Sequence, residues 1–199
     1  SNQYGIMSED IGIVIEPKIQ FSSVISSDRT DEVPNRDSSE FRLDQANLFL
    51  NNQYQGRDNI QQSDRINAGV TTYFITEEMG ELNFFIGQSQ RISGTQKNIS
   101  TTNNDRQSHL INSINWNPNS SYNFSWFSLY NHHSLKSDTS SFNFNGSLNG
   151  WNYSTSHRSV DGDFISDGVD REELALGISK NFSNWKTSYS RTYDLSNDK

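Results

Sequence analysis

The sequence predicts an all-β protein: an antiparallel transmembrane β-barrel segment, about nine strands of a larger barrel in an up-and-down meander. Three observations predict it. From residue 64 onward apolar and polar residues alternate with a period of two, the spacing of a strand with two unlike faces. The gaps between these runs alternate between short and long, as they do where outer-membrane barrels have tight periplasmic turns and longer outer loops. Most runs also reach the ~9–11 residues a tilted strand needs to cross a bilayer, whereas soluble strands cluster near ~5–6.

The predicted strands are roughly 11–26, 64–76, 81–92, 107–117, 121–134, 139–149, 151–160, 170–182 and 185–194. Between the first two lies a long gap, residues 27–63, and then Glu77 to Gly80 makes a tight turn. Residues 93–106 are long, and Asn117-Pro118-Asn119-Ser120 is tight. Leu135 to Asp138 is intermediate; Asn149-Gly150 is the strongest hairpin signal, because Asn-Gly accepts the left-handed backbone of a two-residue turn. Residues 161–169 are longer again, and Ser183-Asn184 is tight. In the first strand Glu16-Pro17 predicts a bulge or a strand start, since proline removes a ladder donor.

Alternation sorts the side chains into two faces. Tyr122, Phe124, Trp126 and Tyr130 share one face of their strand; Asn123, Ser125, Phe127 and Leu129 share the other. Phe142, Phe144, Gly146 and Leu148 oppose Asn143, Asn145, Ser147 and Asn149, and Leu174, Leu176 and Ile178 oppose Ala175, Gly177 and Ser179. Phe124, Trp126, Phe142, Phe144, Leu174, Leu176 and Ile178 are therefore expected to face lipid. Aromatic residues near the run ends (Tyr73, Phe74, Trp116, Tyr122, Trp151, Tyr153, Trp185, Tyr193) stand where an interfacial girdle would lie. Arg65 and Arg91 fall near run ends, and Glu172 and Glu173 open theirs, away from the bilayer midplane where an Arg or Lys costs about 2–4 kcal/mol.

Composition narrows the function. The 199 residues are enough for one sizeable domain, here 1–199, a partial barrel. Mean hydropathy is −0.82, which by itself suggests disorder, but 12% of residues are aromatic, which disordered chains are not. A barrel with a wet lumen and wet loops accounts for both. There is no apolar run near 18 residues to form a transmembrane helix, and Ser1 to Asp10 is too polar for a signal peptide, so an exported protein would be cut from a longer precursor. Cysteine is absent, which removes disulfides and thiolate chemistry, and a net charge of −8 without a basic patch argues against nucleic acid. An odd strand number and the ending Asn197-Asp198-Lys199, with no terminal aromatic, suggest an internal or truncated part of a larger wall.

Residues 33–69 form a long stretch without helical period, read as an ordered extracellular or lumen-capping loop that leads into a strand. It carries Pro34, Asn35, Asp37 and Ser38; then Asn47, Leu48 and Phe49; then Gly56, Asp58 and Ile60; then Arg65 and Gly69. In this order the residues resemble the barrel domain of the lipopolysaccharide-assembly outer-membrane family, LptD, also called the organic solvent tolerance protein. Ile15-Glu16-Pro17-Lys18-Ile19-Gln20 upstream and Gly87-Gln88-Ser89-Gln90-Arg91 downstream are similar to two further strands of that family. The specific part spans residues 13–92; Arg57 departs from it, standing where the family has an aromatic residue or Leu. The resemblance implies a place in the outer membrane of a Gram-negative cell, in the translocon that takes lipopolysaccharide from a periplasmic bridge and releases it into the outer leaflet through a lateral opening. It implies as partners lipopolysaccharide, outer-membrane lipid, periplasmic bridge proteins and a plug lipoprotein in the lumen. Nothing in the chain matches the family's periplasmic domain or lateral gate, so wall and loop roles are expected. Gly56 would serve a backbone turn and Asp58 local bonds to the backbone.

Other chemistry is weakly supported. His132-His133 would face opposite ways on a strand and so offer no shared metal site; His109 and His157 stand alone and are expected to be solvated. Asp161-Gly162-Asp163 with Asp167 and Asp170 lacks the closing Glu of a calcium loop. No catalytic triad order, nucleophile elbow or phosphate loop occurs, so neither catalytic residues, metal nor cofactor are expected and an enzyme is disfavoured. Two rival readings remain open: another outer-membrane barrel such as a porin or receptor, or a soluble carbohydrate-binding β-sandwich whose aromatics pack between two sheets.

Overall fold

The computed structural model describes residues 3–7, 11–23, 39–40, 43–51, 54–55, 62–95, 106–164 and 168–196. Every element in them is a strand: β1 (Tyr4–Met7), β2 (Ile11–Ser22), β3 (Ser39–Glu40), β4 (Tyr54–Gln55), β5 (Gln62–Thr76), β6 (Gly80–Thr95), β7 (Leu110–Asn119), β8 (Tyr122–Tyr130), β9 (Ser137–Leu148), β10 (Trp151–Val160), β11 (Arg171–Asn181) and β12 (Lys186–Asp194). Ten form one antiparallel sheet in the order β1-β2-β5-β6-β7-β8-β9-β10-β11-β12; β3 and β4 pair separately. The sheet is an up-and-down meander, and it is not closed. The nine expected strands are all present, joined by β1 and the β3–β4 pair. At four residues β1 is too short to show a period, and it exists because Tyr4–Met7 pairs with Gly12–Ile15.

Local chemistry explains the turns. Asn149 and Gly150 have φ of 52° and 77°, the two left-handed residues of a type I′ hairpin. Gly80, at φ 69°, closes the turn after β5, where the Met79 amide donates to Thr76 Oγ1 at 2.9 Å. The turn expected at 117–120 is tighter still: β7 continues to Asn119 through an irregularity after Trp116, Pro118 lies in that irregularity, and the Ser121 amide donates to Asn119 Oδ1. Pro17 corrects the expected bulge. It lies inside β2 in regular register with Val70, beyond the stretch paired with β1, where no other strand among the described residues requires a donor from it.

Antiparallel partners share a face, so the register sorts the whole sheet. One row reads Ile13, Phe74, Leu82, Trp116, Phe124, Phe144, Thr155, Leu176, Arg191. The next row on that face reads Ile15, Thr72, Phe84, Ile114, Trp126, Phe142, His157, Leu174, Tyr193. Between them, on the opposite face, runs Val14, Tyr73, Asn83, Asn115, Ser125, Asn143, Ser156, Ala175, Thr192. Tyr73 thus belongs to the polar face, not to the expected girdle. One trough reaches from Glu81 on β6 to Ser190 on β12 along the polar face, so the sheet curls around that side. Among the described residues no second layer covers the apolar side: Phe142 is 36% exposed and Leu176 41%.

Candidate functional site

The concave face is mostly polar, but near its loop end, where the tight turns are absent and the long connections gather, it carries a buried apolar patch. There one row reads Glu16, Thr71, Phe85, Ser113, Phe127, Ser141, Arg158, and the next Lys18, Gly69, Gly87, Ile111, Leu129, Thr139, Val160. Apolar side chains on a wet face need a cover. Residues 43–51 provide it: Leu43 and Leu48 are fully buried with Phe85, Ile111 and Leu129, and Phe49, Phe127 and Phe164 pack around them.

The cover is a single helical turn that closes itself. Asp44 Oδ1 accepts from the amides of Ala46 (2.8 Å) and Asn47 (2.9 Å), while Asn47 Oδ1 accepts from the Asp44 amide (2.8 Å). This reciprocal bonding has the logic of a capping box. It turns Leu48 down toward the sheet, where a Cβ on Gly87 would lie 2.7 Å from Leu48 Cδ2. The Lys18 ammonium sits 4.4 Å from the centre of the Phe49 ring.

Polar ties hold the cover to three strands. Arg65 is fully buried and its Nη2 donates to the carbonyls of Leu50 and Asn51, the latter at 2.9 Å. Gln20 Nε2 donates to Asn51 Oδ1 (3.2 Å), Asn67 Nδ2 to Gln20 Oε1 (3.0 Å), and Ser89 Oγ to Asn67 Oδ1 (2.6 Å), a relay from the cover through β2 and β5 to β6. Ser113 Oγ on β7 donates to Gln45 Oε1 at 3.0 Å.

Of the loop residues singled out in the sequence, Asn47, Leu48, Phe49, Arg65 and Gly69 meet at this site. Pro34, Asn35, Asp37, Ser38, Gly56 and Asp58 lie outside the described residues. Phe124, Trp126, Phe142, Phe144, Leu174, Leu176 and Ile178 share the convex face, with Phe124 and Phe144 ring centres 4.8 Å apart. Aromatic residues at its turn end include Trp116 stacked on Phe124 (5.1 Å) and Phe182 on Trp185 (3.9 Å). Lys180 lies there over the Trp151 ring at 4.9 Å. The convex face has one mid-strand charge among the described residues: Arg191, opposite Leu176, its guanidinium 4.6 Å from the centre of the Tyr193 ring.

Two histidines correct the expectation that they stand alone. His109 is 2% exposed and its Nε2 lies 2.8 Å from Asp138 Oδ2; His157 Nε2 lies 3.0 Å from Glu172 Oε1. The missing signal was non-local, since each carboxylate belongs to another strand. His132 and His133 lie in the turn after β8 rather than on a strand, and their ring centres come within 3.9 Å. Asp161 accepts from the Asp163 amide and Asp170 from the Gly162 amide, so these carboxylates shape their loop. Among the described residues no three metal-binding side chains come together.

A single layer of antiparallel strands, apolar on its convex side and hydroxyl- and amide-lined on its concave side, is the wall of a membrane β-barrel. A family model for LPS transport system D, LptD, matches residues 4–191, and the chain belongs to that family. It is therefore a β-barrel segment of an outer-membrane lipopolysaccharide transport component. No curated protein matches the chain.

Proposed function

We propose that the chain forms part of the wall of the translocon that inserts lipopolysaccharide into the outer leaflet. Its convex face meets outer-membrane lipid, and its concave face lines the lumen. Residues 43–51 act as a lid folded onto the inner wall at the extracellular end. The observation that carries this reading is the match between cover and wall: Leu43 and Leu48 are buried against Phe85, Ile111 and Leu129 of the concave face. In the same reading the uncovered trough, walled by Asn123, Asn145, Ser154, Ser179 and Ser190, faces the plug lipoprotein, and the turn end faces the periplasmic bridge. The chain makes and breaks no bond. It supplies a path, and the family's energy source lies elsewhere.

The lid can be locked. The sequence has no cysteine, so Cys at Gln45 and Ser113, whose side chains touch at 3.0 Å, can be joined by a short thiol-reactive linker that reductant releases. Surface appearance of newly made lipopolysaccharide is the measurement. Joining should stop it and reductant should restore it; transport at the wild-type rate through the joined protein would refute a moving lid.

A further inference from the structure

We infer that residues 43–51 and the 161–164 turn are one cap that opens as a unit, with His109 and Asp138 as the positioning pair that joins them. Its bearing on transport rests on the lid reading above; the coupling rests on contacts alone.

The pair owes its geometry to a bulge. Leu129 faces Thr139 while Tyr130 faces Ser137, which makes Asp138 the extra residue of β9. A bulge re-aims the side chain of the residue it inserts. Here the Asp138 carboxylate meets His109, just before β7, at 2.8 Å. The main chain of the same residue holds the second loop: the Asp161 amide donates to the Asp138 carbonyl at 2.9 Å. That loop is internally braced, with Phe164 N donating to Asp161 O (3.2 Å) and Gly162 N to Asp170 Oδ1 (3.0 Å). It delivers Phe164 edge-on to the His109 ring, 5.3 Å between centres at 76°. The Phe164 ring also packs on the cluster that holds Leu43 and Leu48.

So Asp138 grips His109 with its side chain and the 161–164 turn with its backbone, and Phe164 packs on the same buried cluster that takes Leu43 and Leu48 of the 43–51 turn. Ordering each backbone residue costs roughly 1–2 kcal/mol. Segment 43–51 sets two fully buried apolar side chains against that cost, and the 161–164 turn sets Phe164. Both packets therefore draw on one shared hydrophobic cluster, the condition for cooperative local opening.

Amide hydrogen exchange on the folded protein in lipid nanodiscs tests this, by following 43–51, 161–164 and, as a control, the Asn149-Gly150 hairpin. His109→Ala and Asp138→Asn should each speed exchange roughly tenfold in both loop segments and leave the hairpin unchanged. His109→Gln, which keeps a donor of similar reach, should recover most of the protection. Should the alanine variant fail to fold, Phe164→Ala removes the ring and leaves the pair and the strands intact; exchange at 43–51 should still rise. Faster exchange at 161–164 with 43–51 at the wild-type rate, in either variant, overturns the coupling. Failure of the locked-lid transport experiment would remove the lid reading and leave this exchange result standing.

Discussion

Gly69 and Gly87 stand directly opposite each other on β5 and β6, and the space their missing side chains leave is filled by the Phe85 ring and the tip of Leu48. The pair is a recess in the concave face, and Leu48 of the 43–51 cover is seated in it.

Gly87→Ala should therefore unseat the lid without unfolding the sheet. A new Cβ would lie 2.6 Å from Phe85 Cζ and 2.7 Å from Leu48 Cδ2, and Leu48 is the partner free to leave. Overpacking of this kind costs about 1–3 kcal/mol. Limited proteolysis should cut within 43–51 faster in the variant, while the heat-modified mobility of the barrel in detergent gels stays as in wild type.

Arg65→Lys should weaken the same seat by another route. Arg65 reaches two successive carbonyls, Leu50 and Asn51, with one nitrogen, Nη2, at the far end of its guanidinium, and lysine keeps the charge but ends one bond shorter. Hydrogen bonds to charged groups contribute about 1.5–3 kcal/mol each. A lid-opening free energy lowered by that order, read from exchange of the Leu50 amide, is the expected result; an unchanged rate would show that Arg65 does not hold the lid.

Facing can be tested with two neighbours in β9. Phe144→Arg places a cation on the convex face in the middle of β9, while Asn143→Arg places it on the concave face. At mid-bilayer an outward Arg costs about 2–4 kcal/mol. Insertion into vesicles should fall sharply for the first variant and little for the second. Equal losses would defeat the assignment of faces.

Arg191→Leu is the converse experiment. Arg191 occupies the same convex row as Phe144, and its stacking on Tyr193 directs the guanidinium toward the loop end of β12. Replacing it with leucine should raise the urea midpoint of the barrel in lipid. A lowered midpoint would mean that β12 meets a partner there rather than hydrocarbon.

What the sequence determined by itself is what short-range chemistry dictates. Alternation set the faces, because successive strand residues point to opposite sides. Asn149-Gly150 and the other turn signals set the meander, because their backbone requirements are local. Even the lid left a trace: Phe127 and Leu129 break the Asn/Ser pattern of their face, and they lie under the cover. Tertiary structure alone decided the rest. That Leu48 seats against Gly87, that Arg65 takes the carbonyls of residues fifteen and fourteen positions earlier, and that a bulge turns Asp138 to His109 all depend on register between distant segments. A period of two carries no information about which strand lies alongside, or where one strand gains an extra residue.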